Sequence, residues 1–165
     1  MKKFVEYAPS IESTKIVSLP KQFGLWINNA WVTPKNAKTF ASINPATEEK
    51  LCMLTEASAA QVNQAVVSAE KAFKTTWSKT SGQERGRLLF RVARLLQERA
   101  REFSVLETMD GGKPIKESRD VDIPLAAAHF FYYAGWADKL EFALPTRKDI
   151  SPLGVVAAVI PWNFP

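Results

Sequence analysis

Gly154-Val155-Val156-Ala157-Ala158-Val159-Ile160-Pro161-Trp162-Asn163-Phe164-Pro165 is the stretch that decides how the rest of the chain is read. Residues 155–160 are small or β-branched and apolar, without polar alternation. That pattern predicts a central parallel strand covered by helices on both faces. Pro161 ends the strand, because proline donates nothing to a ladder and holds its predecessor extended. The loop that follows presents Trp162 and Asn163 beyond the strand's carboxyl end, where open α/β sheets bind ligands. An amide side chain donates hydrogen bonds without titrating, which suits it to a developing oxyanion. An asparagine in this place also serves as a plain turn cap, and a tryptophan as ordinary core packing. On the residues alone, both alternatives stand.

Upstream of this stretch the pattern is helical. Residues 146–152 are polar and read as an extended excursion, released into the strand at Gly154. Before it, Asp122 is placed to cap a helix in whose first turn Pro124 is tolerated, with Leu125, Ala128, Tyr132, Gly135 and Trp136 as its buried face and Pro145 as its end. Gly111-Gly112 stops an earlier helix and Pro114 opens a new turn. Ser81 with Glu84, and Ser58 with Gln61, are capping-box pairs. The first precedes a stripe of Leu88, Leu89, Val92, Leu95 and Leu96, continued through Phe103 and Leu106 after a break near Arg101; the second precedes Val62, Ala65, Val66, Ala69 and Phe73. Both stripes recur at helical spacing and are expected to pack inward. Earlier still, residues 24–32 around Asn28-Asn29, 39–43 and 50–54 read as short antiparallel strands, the two asparagines suiting a tight hairpin turn. Residues 1–22, with Pro9 and Pro20, read as an irregular arm.

The composition, 46% apolar and 24% charged over 165 residues, is that of a globular protein. No apolar run approaches the roughly 18 residues of a membrane span, and the start, Met1-Lys2-Lys3-Phe4, lacks the apolar region of a secretory signal. One cysteine allows no internal disulfide, which fits a reducing, cytoplasmic setting. The net charge of +5 comes largely from Arg85, Arg87, Arg91, Arg94, Arg99 and Arg101, interleaved with glutamates on one helix. Without an RNA-binding motif or zinc spacing beside them, they read as a solvated face and not as a nucleic-acid surface. Cys52 lies in Leu51-Cys52-Met53-Leu54, a strand setting with nothing to mark it as a nucleophile. His129, before Phe130-Phe131-Tyr132-Tyr133, reads as a packed or surface ring without a partner ligand for a metal.

Pro161-Trp162-Asn163-Phe164-Pro165, with Pro152-Leu153-Gly154-Val155, Tyr132-Tyr133-Ala134-Gly135-Trp136-Ala137-Asp138-Lys139, Asp110-Gly111-Gly112-Lys113-Pro114 and Asn44-Pro45-Ala46-Thr47 in the same order, resembles the amino-terminal part of the NAD(P)-dependent aldehyde dehydrogenase superfamily. The resemblance runs from about Trp26 to Pro165, and it is specific because several segments agree. It implies an α/β fold: short antiparallel strands belonging to the oligomerisation element, a helical segment, then the first strand of a Rossmann-like parallel sheet. It makes residues 23–165 an incomplete amino-terminal part of the cofactor-binding domain, with the catalytic domain, its nucleophilic cysteine and its glutamate base lying outside these residues.

For the parent enzyme the resemblance implies oxidation of an aldehyde to an acid with NAD or NADP, in a homo-oligomer. It implies Asn163 as an oxyanion donor, and Ile160, Pro161, Trp162 and Asn163 along the nicotinamide. Phe164, Val121 and Leu125 would be walls of the aldehyde tunnel, and Asp110 with the backbone of Ser42 and Ile43 would form a monovalent-cation site. Apolar residues at helical spacing are also ordinary core, and an aspartate before Gly-Gly an ordinary helix terminator. These 165 residues by themselves are expected to be inactive. The rival expectations are a non-catalytic interaction fragment of the same family and, in a different class, a basic module with salt-sensitive nucleic-acid binding.

Overall fold

Asn28 and Asn29, both at positive φ (52° and 58°), turn the chain between β2 (Leu25–Ile27) and β3 (Ala30–Val32), which pair antiparallel with Trp26 opposite Trp31. Two left-handed residues in succession give the turn whose twist matches a hairpin, and asparagine is among the few side chains that tolerate it. The computed structural model describes residues 12–147 and 150–164. The expectations for residues 1–11, for residues 148–149 of the polar excursion and for Pro165 lie outside the described residues.

A second sheet has the order β1-β5-β4. β4 (Thr39–Ile43) and β5 (Lys50–Thr55) are antiparallel, with a register shift between Ser42 and Ile43. Their connection is fixed by Asn44, whose side-chain oxygen accepts the Ala46 N–H at 2.9 Å while its carbonyl accepts the Glu48 N–H at 2.8 Å. β1 (Gln22–Phe23) runs parallel to β5. The end of the expected irregular arm therefore belongs to the sheet: Gln22 donates to the Thr55 hydroxyl at 3.1 Å, and that hydroxyl donates to the Phe23 carbonyl at 2.7 Å.

The helices start and stop where local chemistry directs. α1 (Ala59–Thr75) begins after Ser58, whose backbone N–H donates to Gln61. α2 (Gly82–Glu98) begins with the reciprocal pair Glu84 N–H to Ser81 Oγ and Ser81 N–H to Glu84 Oε2. α3 (Ala100–Gly111) follows a break at Arg99, two residues before the expected one, and ends at Gly112 in the left-handed region (φ 75°). A Cβ at Gly112 would lie 2.5 Å from Pro45 Cγ, so this position needs glycine for space as well as for φ.

Asp122 does not cap a new helix. α4 (Ile115–Glu117) runs through a π-helical turn, Ser118–Asp122, into α5 (Ile123–Trp136). Asp122 is itself helical, and its carboxylate is committed to Lys113. Pro124 has no N–H for the ladder, and the wider turn lies just before it. The turn is fastened by buried hydroxyls: Ser104 Oγ donates to the Ala100 carbonyl at 2.7 Å and reaches the Ser118 carbonyl at 3.5 Å, while Thr108 donates to Ser118 Oγ at 3.0 Å. α5 ends at Trp136, before Pro145, and a short α6 (Leu140–Ala143) follows.

α2 and α5 form the closest helix pair. Gly86, Ala93, Ala127 and Ala134 are buried along it, and a Cβ added at Gly86 would stand 2.9 Å from the Ala134 carbonyl oxygen. The inward face of α5 is therefore the one carrying Ala127 and Ala134; Leu125, Ala128, Tyr132 and Trp136, expected inside, are exposed, with Gly135 half-buried. On α2 the inward face carries Gly86, Leu89, Ala93 and Leu96, whereas Leu88, Val92 and Leu95 are exposed. On α1, Val62, Val66 and Ala69 are exposed, and Ala65 and Phe73 half-buried. These stripes form helices as expected, but apolar periodicity does not say which of several apolar faces meets a neighbour.

Candidate functional site

Three of the sequence motifs converge at the carboxyl end of α3. Pro45 of Asn44-Pro45-Ala46-Thr47 lies against Gly112. Just before Gly112, Asp110 accepts a short hydrogen bond from the Ser42 hydroxyl. Lys113, next after the glycines, reaches back to Glu107 (2.9 Å) and across to Asp122 in the π turn (2.8 Å). All three of these side chains are largely shielded, at 13–14% exposure. Above the ammonium lies the ring of Phe164, its centroid 4.0 Å from Lys113 Nζ, which brings in the Pro-Trp-Asn-Phe-Pro motif. Partial burial works against the lysine's charge, but the hydrogen bonds to Asp122 and Glu107 and their charges outweigh it, and its pKa is raised. The ammonium stays charged under the ring.

The segment that delivers Phe164 does not take the expected form. Residues 154–160 are in no strand, and no described residue shares a backbone hydrogen bond with them. The expected both-faces-buried strand is thus corrected to an exposed, irregular segment, with Val156 at 72% and Val159 at 96% exposure. The physical reason is supply: such a strand needs a ladder on its edges and cover on both faces, and neither is present among the described residues. Its start does approach the body: a Cβ added at Gly154, which sits at φ 98°, would stand 3.9 Å from the Phe73 ring of α1. Ile160, Trp162 and Phe164 are exposed, Trp162 at 89%, and Pro161 and Asn163 are exposed with them. The geometry does not seat Asn163 in a cavity.

Val121 and Leu125 are exposed at the amino-terminal end of α5, close to Asp122. The lysine between Asp122 and Phe164 places Phe164 at that same end. At the expected cation position, Ser42 brings its hydroxyl to Asp110, and Ile43 sits at the register shift of β4. Among the described residues no group of three His, Cys, Asp or Glu side chains is arranged to hold a metal ion. Cys52 is buried on β5 opposite Ser42, and burial, with Asp110 adding its charge, pushes the thiol pKa up. It is the wrong direction for a nucleophile. A groove of about 470 Å³ passes Cys52 between β5, α3 and α5, walled by Phe23, Leu54, Phe103, Leu106 and Phe130. His129 is exposed on α5.

Two features escape a reading of the sequence. Lys113 stands inside a motif that gives it no role of its own; a lysine between Gly-Gly and Pro, with acids six residues before and nine after, is the signal that points to it. Gly82 and Gly86, four apart, mark the close approach of α2 to the Ala134-to-Asp138 stretch, as the contacts that a Cβ at either would make show. Spacing of small residues is the signal there.

Residues 160–163 offer backbone groups without hydrogen-bond partners among the described residues, a neutral amide and an indole, all of them exposed. No described helix is long and apolar enough to cross a membrane.

Comparison with known proteins supplies what the geometry does not. A family model described as the aldehyde dehydrogenase family matches residues 31–165. The chain is 42% identical over 149 residues to an aldehyde dehydrogenase of Alternaria alternata, covering 86% of this chain and 30% of that protein. It is 38% identical over 152 residues to a mitochondrial aldehyde dehydrogenase of Rattus norvegicus, covering 86% and 29%. Among solved structures, an NAD+ complex of an aldehyde dehydrogenase from Bacillus cereus superposes with a TM-score of 0.69 at 35% identity, over 72% of this chain and 24% of that one. The chain spans about 30% of the length of the curated relatives it matches.

Proposed function

The chain belongs to the aldehyde dehydrogenase family, and from that premise we propose that it is the amino-terminal portion of an enzyme oxidising an aldehyde to a carboxylic acid with NAD or NADP. The observation that carries this reading is the match of residues 31–165 to the family. The similar Bacillus cereus structure is a complex with NAD+, which supports the cofactor class. The same family match supports a homo-oligomer built partly on the antiparallel strands, and the lone, buried Cys52 fits a cytoplasmic protein.

In this reading Asn163 donates its side-chain N–H to the oxyanion formed when a thiol supplied by the rest of the enzyme attacks the aldehyde. A neutral donor suits the task because its hydrogen bond strengthens as charge develops and it does not titrate. Ile160, Pro161, Trp162 and Asn163 border the nicotinamide, whose chemistry is to accept the hydride. Val121, Leu125 and Phe164 line the approach of the aldehyde, consistent with their shared place at one end of α5. A monovalent cation beside Asp110 would compete with the Ser42 hydroxyl for the same carboxylate oxygen.

Asn163→Ala, made in an enzyme that carries these residues together with its nucleophile, is expected to lower turnover by about a hundredfold or more. Acylation at the parental rate would reject the role. Residues 1–165 alone, whose one thiol is buried and held protonated, are expected to form no NADH or NADPH from any aldehyde. Absorbance growth at the reduced-nicotinamide band would overturn that. The uncovered apolar faces of α1 and α5 favour a second reading, an interaction fragment that docks onto a partner subunit without catalysis. A parent sequence lacking the cysteine or the glutamate would decide for it.

A further inference from the structure

The segment 154–164 approaches the body at two places. At one end Gly154 passes near α1, where a Cβ added to it would stand 3.9 Å from the Phe73 ring, and at the other the Phe164 ring lies over the Lys113 ammonium. Between them no described residue shares a backbone hydrogen bond with the segment. Phe164 is itself 62% exposed, so burial of the ring is a weak reason for its place. The ammonium beneath it is a better one. Lys113 is held from two sides by Glu107 and Asp122, so its position is set whether or not the ring is there. An ammonium shielded in this way loses part of its hydration, which strengthens its attraction to the negative face of a ring.

We propose that Lys113 is a positioning residue for the segment carrying Trp162 and Asn163: anchored by the carboxylates of Glu107 and Asp122, its ammonium clamps the Phe164 ring and so fixes the neighbouring amide at the amino-terminal end of α5. The consequence for catalysis rests on the reading of Asn163 given above; the clamp itself does not. Asn163 precedes Phe164 directly, so a ring held in place leaves the amide a single residue's freedom. The anchor is built from three elements that the sequence separates: the end of α3, the turn after it and the π turn. Asp122 is the last residue of the π turn, and from there its carboxylate reaches the Lys113 ammonium at 2.8 Å.

The test uses the 165-residue chain. In a ¹³C-lysine NMR spectrum the ε-methylene protons of Lys113 are expected upfield of the other lysines, from the ring current of Phe164, and Phe164→Leu is expected to return them to the common position. Lys113→Met and Phe164→Leu are each expected to raise the released population of the segment by about 2- to 30-fold, read as loss of backbone order at Asn163 by ¹⁵N relaxation. Lys113→Arg keeps a cation under the ring and is expected to restore that order. Unshifted Lys113 protons in the parent chain, or equal order at Asn163 in the parent and in Phe164→Leu, would overturn the clamp. If Lys113→Met fails to fold, Phe164→Leu decides, since it leaves both ion pairs intact. These readouts need neither aldehyde nor cofactor. A positive result beside a fully active Asn163→Ala enzyme would therefore keep the clamp and discard the oxyanion role, and the reverse pair of results would do the opposite.

Discussion

The seam between α2 and α5 and the segment 153–164 are both written in small and apolar residues, yet they finish in opposite surroundings. Along the seam, Ala93, Ala127 and Ala134 are at most 4% exposed, and glycines let backbone meet backbone. Along the segment, Leu153 and Val159 are each 96% exposed. Composition therefore sets a demand for cover, and neighbours decide whether it is met. Among the described residues that demand stays open elsewhere too, along the exposed apolar stripes of α1 and α5, with Val62, Val66, Leu125 and Tyr132 all exposed.

The contrast breaks most visibly at Gly86. A side chain there has to displace the Ala134 carbonyl, and the helices cannot part without opening the seam. Gly86→Val is expected to cost about 3 kcal/mol of unfolding free energy, the upper part of the range for overpacked cores, measured by urea denaturation. A loss below about 0.5 kcal/mol would mean the seam is as loosely held as the segment. A smaller effect is expected at Ser118, which is wholly buried and accepts the Thr108 hydroxyl. Ser118→Ala leaves that hydroxyl without its acceptor and is expected to cost about 1 to 2 kcal/mol in the same measurement. An unchanged midpoint would show that the Thr108 hydroxyl's bond to Ser118 does nothing to fasten the π turn, leaving the Ser104 hydroxyl and packing to hold it.

How much of this was legible in the sequence follows the same division. Elements whose signal is local were readable: Asn28-Asn29 for the hairpin, Ser58 and Ser81 for helix starts, Gly112 for a helix end. Each acts through its own backbone or a residue three away. Faces were not readable. α5 is apolar nearly all round, so Leu125 and Tyr132 looked as fit for the core as Ala127 and Ala134, and only the glycines of α2 settle which side meets it. The π turn was hidden too, because Asp122 before Ile123-Pro124 reads as a cap until Lys113 is seen to claim its carboxylate. At the site, motif order was legible, and so was the family. The seat of Asn163 was not, because it depends on neighbours that 155–160 does not find among the described residues.

A third test addresses the local signals themselves. Hydrogen bonding from the Ser81 hydroxyl, and then from its backbone, holds the Glu84 carboxyl below its usual value near 4.5. A carboxyl depressed on folding stabilises the fold above its unfolded pKa, and that contribution is lost as pH falls through the folded value. Glu84 is solvent-exposed, so the effect is small. Glu84→Gln is expected to lower the Tm slightly at pH 7 and to match the parent once pH has fallen well below 4.5. A difference that persists at low pH would show that the cap works through the shape of the side chain and not through its charge.

The smallest expected effect is the most discriminating. A buried valine contributes about 1.5 to 3 kcal/mol relative to an exposed one, so replacing two of them in an interior strand would cost several kcal/mol and unfold a marginal domain. Val156 and Val159 are 72% and 96% exposed. In this chain Val156→Ser with Val159→Ser is therefore expected to change the unfolding free energy by no more than about 0.5 kcal/mol, while reducing self-association measured by sedimentation, because an unpaired apolar stretch without charge is a ready template for another. A large loss of stability in the monomer would put residues 155–160 inside after all and erase the contrast with the seam. An unchanged stability in this chain, set beside a large loss for the same pair in an enzyme that supplies the missing cover, would show the demand being met by neighbours, with the local sequence held constant.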